Sequence, residues 1–176
     1  MLRGAVLVLA AVAAVFALSG PTGQAGAAST ATLRVDGIGP LKLGMTRAAA
    51  VKTGWLSDRG TGCPLGGPPL PITYRLKGTA APKGVTGVAE FNGGKLTDLT
   101  FTKGVRTGTG VVVGTTTTGQ MVTKYRKAGY KAKAQYSGVF QGTFVEVSKG
   151  SHPVIGGFGT GKIVDTLAIP GISVCD

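Results

Sequence analysis

The chain has a single histidine, His152, and only seven acidic side chains in 176 residues. That scarcity excludes most convergent catalytic chemistry. General acid/base catalysis needs a carboxylate or imidazole placed against the reacting group, and a metal centre needs several His, Cys, Asp or Glu donors in one place. No cofactor or metal is therefore expected. His152 lies in Lys149-Gly150-Ser151-His152-Pro153, a polar turn pattern, and reads as an exposed turn residue. Cysteine is limited to Cys63 and Cys175, tryptophan to Trp55, and aromatic residues make up 6% of the chain. Long apolar runs are confined to the N-terminus, so no stable membrane anchor is expected once that segment is removed.

A nucleotide site is also refused. Gly156-Gly157-Phe158-Gly159-Thr160-Gly161-Lys162 satisfies the G-x-x-x-x-G-K part of a phosphate-binding loop. The next residue is Ile163, where that motif needs Ser or Thr to hold magnesium. A strand pattern follows, where a helix N-terminus should receive the phosphates.

What is present begins with an export signal. Met1-Leu2-Arg3 is a short basic segment, and Ala5 to Leu18 carries no charge, the length of a signal-peptide core. Ser19-Gly20-Pro21 breaks the run, and Ala25-Gly26-Ala27 offers a cleavage site there or one residue later. Residues 1–28 are read as a signal peptide, residues 29–32 as a flexible stub, and the mature chain as secreted, with a place at the cell wall. The absence of a nearby cysteine argues against lipid attachment, and the absence of twin arginines points to the general secretion route. The formal net charge is +12, which becomes +11 on losing Arg3. A basic exported protein is drawn to teichoic acids, phospholipid head groups, extracellular nucleic acid or an acidic protein. Two cysteines in an oxidising compartment read as one disulfide, Cys63–Cys175.

The middle of the chain repeats itself. Phe91-Asn92-Gly93-Gly94-Lys95-Leu96-Thr97-Asp98 aligns with Phe158-Gly159-Thr160-Gly161-Lys162-Ile163-Val164-Asp165, and Pro40-Leu41-Lys42-Leu43-Gly44-Met45-Thr46 with Gly110-Val111-Val112-Val113-Gly114-Thr115-Thr116. Residues 33–104 and 105–176 are read as two related units. In the first, Thr46 caps a helix from Arg47 to Thr53 and Gly54 ends it. In the second, Thr117 with Gln120 forms a capping box; Met121, Val122, Tyr125 and Ala128 share a face, and Gly129 ends the helix. Alternating segments surround them, with Asn92-Gly93 as the hairpin signal. The expected class is α+β: two tandem helix-plus-antiparallel-sheet units of about 70 residues sharing a sheet, with helices on one face. Asp98 and Asp165 fall at equivalent hairpin positions and read as structural acceptors.

One basic cluster stands out. Lys124, Arg126, Lys127, Lys131 and Lys133 fall within ten residues, interleaved with Tyr125 and Tyr130 and followed by Tyr136. It reads as a solvated helix face, with polyanion binding as its functional use.

The segment Gly44-Met45-Thr46-Arg47, after Leu41-Lys42-Leu43, resembles the strand–G-M-T-R–helix entry of the β-lactamase inhibitory protein family of actinobacteria and of the BamE-like (SmpA/OmlA) envelope domains. The former is similar in export and in its tandem duplication. The second unit has Gly114-Thr115-Thr116-Thr117 instead, and the family's one disulfide per unit is not available here, so no functional residue carries over. The expected function is that of a secreted, monomeric, non-enzymatic binding protein, inhibitor-like or associated with the envelope, whose partner is a protein or an anionic envelope polymer. The alternative is an extracellular hydrolase of cell-wall or other polymer, which requires Asp98, Glu146, His152 and Asp165 to surround one cleft.

Overall fold

The computed structural model describes residues 30–66 and 68–174. The segment read as a signal peptide and Cys175 lie outside them. Twelve strands and two α-helices follow in order: β1 (Ala31–Arg34), β2 (Gly37–Ile38), β3 (Leu41–Lys42), α1 (Arg47–Lys52), β4 (Ser57–Thr61), β5 (Ile72–Arg75), β6 (Thr86–Asn92), β7 (Lys95–Lys103), β8 (Val105–Thr107), α2 (Thr118–Lys127), β9 (Lys131–Ser137), β10 (Gly142–Lys149), β11 (His152–Gly159) and β12 (Thr166–Ile169).

The strands form two sheets. The larger runs β4-β5-β6-β7-β12-β11-β10-β9, two antiparallel four-strand meanders joined where β12 pairs β7 through Leu167↔Phe101, Ala168↔Thr100 and Ile169↔Leu99. The smaller runs β3-β2-β1-β8, with β1 and β8 parallel.

This corrects the expected α+β class. The structure is predominantly β. α1 has six residues and α2 ten, too little to cover one face of an eight-stranded sheet. A second sheet, absent from the sequence reading, packs into the same core through Leu33, Ile38 and Leu41, all fully buried. Its strands are two to four residues long, below the length at which alternation is legible, and its parallel pair joins segments about seventy residues apart. β1 also begins at Ala31, inside the segment read as a flexible stub.

The junctions into the two helices use the same hydrogen bonds. Gly44 and Gly114 both turn at positive φ, +80° and +82°, which a residue without Cβ adopts at little cost. Gly44 N–H donates to Leu96 O (2.7 Å) and Gly114 N–H to Val164 O (2.8 Å). Arg47 N–H donates to Gly94 O and Thr118 N–H to Lys162 O, both at 2.9 Å. Leu96 N–H returns to Met45 O, as Val164 N–H does to Thr116 O, both at 2.8 Å. Thr46 and Thr117 are the N-caps, and the Thr117–Gln120 capping box has both its bonds.

The hairpin between β6 and β7 differs in one detail from its sequence signal. Asn92 is paired with Lys95, and the two loop residues are Gly93 and Gly94, at φ +55° and +76°. Both lie in the region that a tight primed turn requires. Side chains seal the core at two close approaches. Trp55 stacks on Gly39, where a Cβ would sit 2.5 Å from its ring, and Met121 of α2 lies on Gly157 of β11, where a Cβ would meet its sulfur at 2.6 Å. Among the described residues no helix is long and apolar enough to cross a membrane.

Candidate functional site

The five basic residues of the sequence cluster divide by role. Arg126 is structural: its Nε donates to Ala132 O at 2.9 Å, tying the last turn of α2 to β9. Lys133 pairs with Glu146 on the neighbouring strand, Nζ to Oε2 3.0 Å. Lys131 is exposed two residues away on β9, and the buried Ala132 between them packs against the core. Lys124 and Lys127 remain, three residues apart on α2 and so on one side of it.

Those two lysines border a groove of about 880 Å³ formed by α2 and the segment leading into it. Gly110, Val112, Thr115, Thr116, Thr117, Gln120 and Thr123 supply most of the rest of its lining. A Cβ on Gly110 would stand 3.5 Å from the Lys124 Nζ, so the ammonium lies over this backbone. No carboxylate lines the groove, and the ion pairs of the described residues use neither lysine.

Each threonine is placed by a local bond. Thr116 Oγ1 accepts from Val112 N–H (2.8 Å), holding the turn before the helix. Thr117 Oγ1 accepts from Gln120 N–H (3.1 Å), while Gln120 Oε1 accepts from Thr117 N–H (3.0 Å). Thr123 Oγ1 donates to Gly119 O (3.0 Å). With its oxygen committed to the cap, the Gln120 amide presents its NH₂ as a donor. The groove thus offers two cations, an amide donor and hydroxyl groups on a fixed frame. That is the chemistry of an anion carrying hydroxyls. Sequence reasoning missed the threonines as lining, because each was legible only as a cap or turn residue.

The acidic residues do not converge. Asp165 is held in its turn, its carboxylate accepting from Thr160 N–H (3.1 Å) and from the hydroxyls of Thr160 (3.3 Å) and Thr166 (3.1 Å). Glu146 is engaged by Lys133, and His152 opens β11 opposite Lys149. Asp98 sits within β7, three strands from β10, or roughly 14 Å at the usual strand spacing. The strand order thus keeps apart Asp98 and Glu146, two of the four side chains named in the hydrolase reading. Among the described residues no group of three His, Cys, Asp or Glu is placed to hold a metal ion.

Asp98 instead faces Glu90 across β6 and β7. A register slip leaves Thr97 as the extra residue, and its hydroxyl donates to Glu90 O at 3.3 Å. Burial pushes both carboxyls above their ordinary range. At Asp98 the Thr97 hydroxyl opposes this. At Glu90 the Cys63 N–H opposes it and the Asp98 charge adds to it. Cys63 is buried, and there is no free cysteine among the described residues.

The chain matches no protein-family model, no curated protein and no solved structure.

Proposed function

We propose that this is an exported binding protein that holds an anionic, hydroxyl-bearing polymer of the cell envelope in the α2 groove. The observation that supports it is the pairing of Lys124 and Lys127 with a lining of threonine hydroxyls and the Gln120 amide, without a carboxylate to neutralise the two cations. The charge balance agrees: +12 over the chain draws polyanions from a distance, and the groove supplies a place to dock. Phosphodiester-linked polyols fit both terms. Their phosphates meet the ammonium groups and their hydroxyls exchange hydrogen bonds with Thr117, Gln120 and Thr123.

Binding to a purified polyglycerol phosphate polymer, measured by calorimetry across a salt series, tests the reading. Affinity should fall with salt, and the double variant Lys124→Gln/Lys127→Gln should bind roughly tenfold more weakly with a shallower salt slope. The control Lys52→Gln/Lys83→Gln removes the same charge from exposed positions elsewhere. Equal losses in the two double variants would remove the groove from the account and leave only diffuse attraction.

A further inference from the structure

A second cavity, on the other side of α2, has a different character. It measures about 490 Å³ and lies between β1, the residues just after β8, and the C-terminal half of α2. Its floor is apolar: Leu33 and Ile155 are buried, and Tyr125 is only 2% exposed. Tyr130 forms a wall, its ring edge-on to that of Tyr125 with centroids 5.5 Å apart. Thr109, Gly108, Ala128, Val35 and the ion-paired Arg34 and Asp36 complete the lining, so the cavity holds one carboxylate beside its cation.

The polar groups in this cavity are incompletely used. The Tyr125 hydroxyl is buried, and no partner meets hydrogen-bond geometry with it. Thr107 and Thr109 stand close enough to temper the rise that burial imposes on the phenol. Their own hydroxyls, however, bond to each other at 2.9 Å. Thr109 is half-buried, so its hydroxyl is the one of the three that a group entering the cavity can reach. At the rim, Arg34 makes one long contact to Asp36, Nε to Oδ1 3.5 Å, and more than half of its side chain is exposed. Asp36 has a closer cation in Lys42, Nζ to Oδ2 3.0 Å. Arg34 can therefore turn to a ligand without leaving Asp36 uncompensated. Exposed pairs of this kind hold their partners weakly.

We propose that this cavity is a binding site for a small aromatic anion, its ring seated against Tyr130 over the apolar floor, its acidic group on Arg34, and a polar substituent at the Thr109 hydroxyl. The volume lies within the range of ligand sites, roughly 300–1,000 Å³, and an apolar lining with a few converging polar groups is their usual composition. Edge-on aromatic pairs such as Tyr125–Tyr130 accept a third ring in offset or edge geometry. The site is independent of the polymer groove, sharing neither Lys124 nor Lys127.

The test uses the folded full chain and two dyes: anilinonaphthalene sulfonate, which carries an aromatic body and one anionic group, and uncharged N-phenylnaphthylamine. The first should bind at one saturable site with blue-shifted emission and be preferred over the second. Ala128, exposed on the rim, can be enlarged without entering the core. Ala128→Trp should weaken dye binding at least tenfold. Gly108→Phe is the second filler, because no atom lies within 4 Å of a Cβ at Gly108. Arg34→Gln should keep a cooperative thermal transition but abolish the preference for the charged dye. Absence of saturable binding would overturn the proposal. So would binding that survives both fillers in cooperatively folded protein, or a preference for the charged dye that survives Arg34→Gln.

Discussion

Glu90 and Asp98 stand opposite one another in register across β6 and β7, two carboxyls on adjacent strands with no cation paired to either in the ion pairs of the described residues. Burial raises both, and their mutual repulsion adds to the shift at Glu90.

This arrangement fixes the sign of a pH effect. A carboxyl whose folded pKa is raised makes the folded chain hold a proton that the unfolded chain releases. Its stabilising contribution is present below the unfolded values, about 4, and is lost as pH rises through the raised folded values. Asp98→Asn keeps the shape of the side chain and removes the charge. Its melting temperature should exceed that of the parent at pH 7, with the difference closing as pH falls below about 4. A variant less stable than the parent at pH 7 would show that the carboxylate has a compensating partner.

The contact between Met121 and Gly157 predicts a coupled pair of substitutions. Gly157→Ala drives a methyl into the Met121 sulfur and should destabilise the chain by about 1–3 kcal/mol, the usual cost of overpacking. Met121→Ala leaves a cavity and should cost about 2–5 kcal/mol. Combined, they should cost less than the sum of the single changes, because the new methyl occupies vacated space. Denaturant unfolding of the four proteins measures the coupling, and strict additivity would contradict the packing described.

The two cysteines give a chemical prediction. Protein unfolded without reductant should present no thiol to a labelling reagent if Cys63 is bonded to Cys175. Reduction should then lower stability by about 5 kcal/mol, the chain-entropy value for a loop of roughly a hundred residues. Labelling at both cysteines, or a melting temperature indifferent to reductant, would eliminate the cross-link.

Legibility in the sequence followed locality. The Thr117–Gln120 capping box, the stops at Gly54 and Gly129, and the burial of Met121 and Tyr125 depend on residues within one or two turns, and spacing alone exposed them. The paired junctions at Gly44 and Gly114 were legible because the same short pattern occurs twice. The second sheet was not. β2 and β3 have two residues each, and the pairing of Leu33 with Thr107 carries no local trace. The sites divide likewise. Lys124 and Lys127 stood out as charge, whereas the aromatic cavity draws Leu33, Thr109, Tyr125 and Ile155 from four distant segments, each read by itself as core or turn.

The strand order leaves β4 and β9 at the two ends of the large sheet. Sheet ends are where copies of a chain stick together, since their unpaired amides and carbonyls can template another strand. Here β9 carries Lys131 and Lys133 on alternate positions, and β4 is interrupted between Ser57 and Arg59 with Asp58 at φ +48°. One border carries lysine side chains, Lys133 paired with Glu146 and Lys131 exposed, and the other an irregular backbone, both features that discourage strand addition. A sheet of eight strands thus ends on two borders that are poor templates for a further strand.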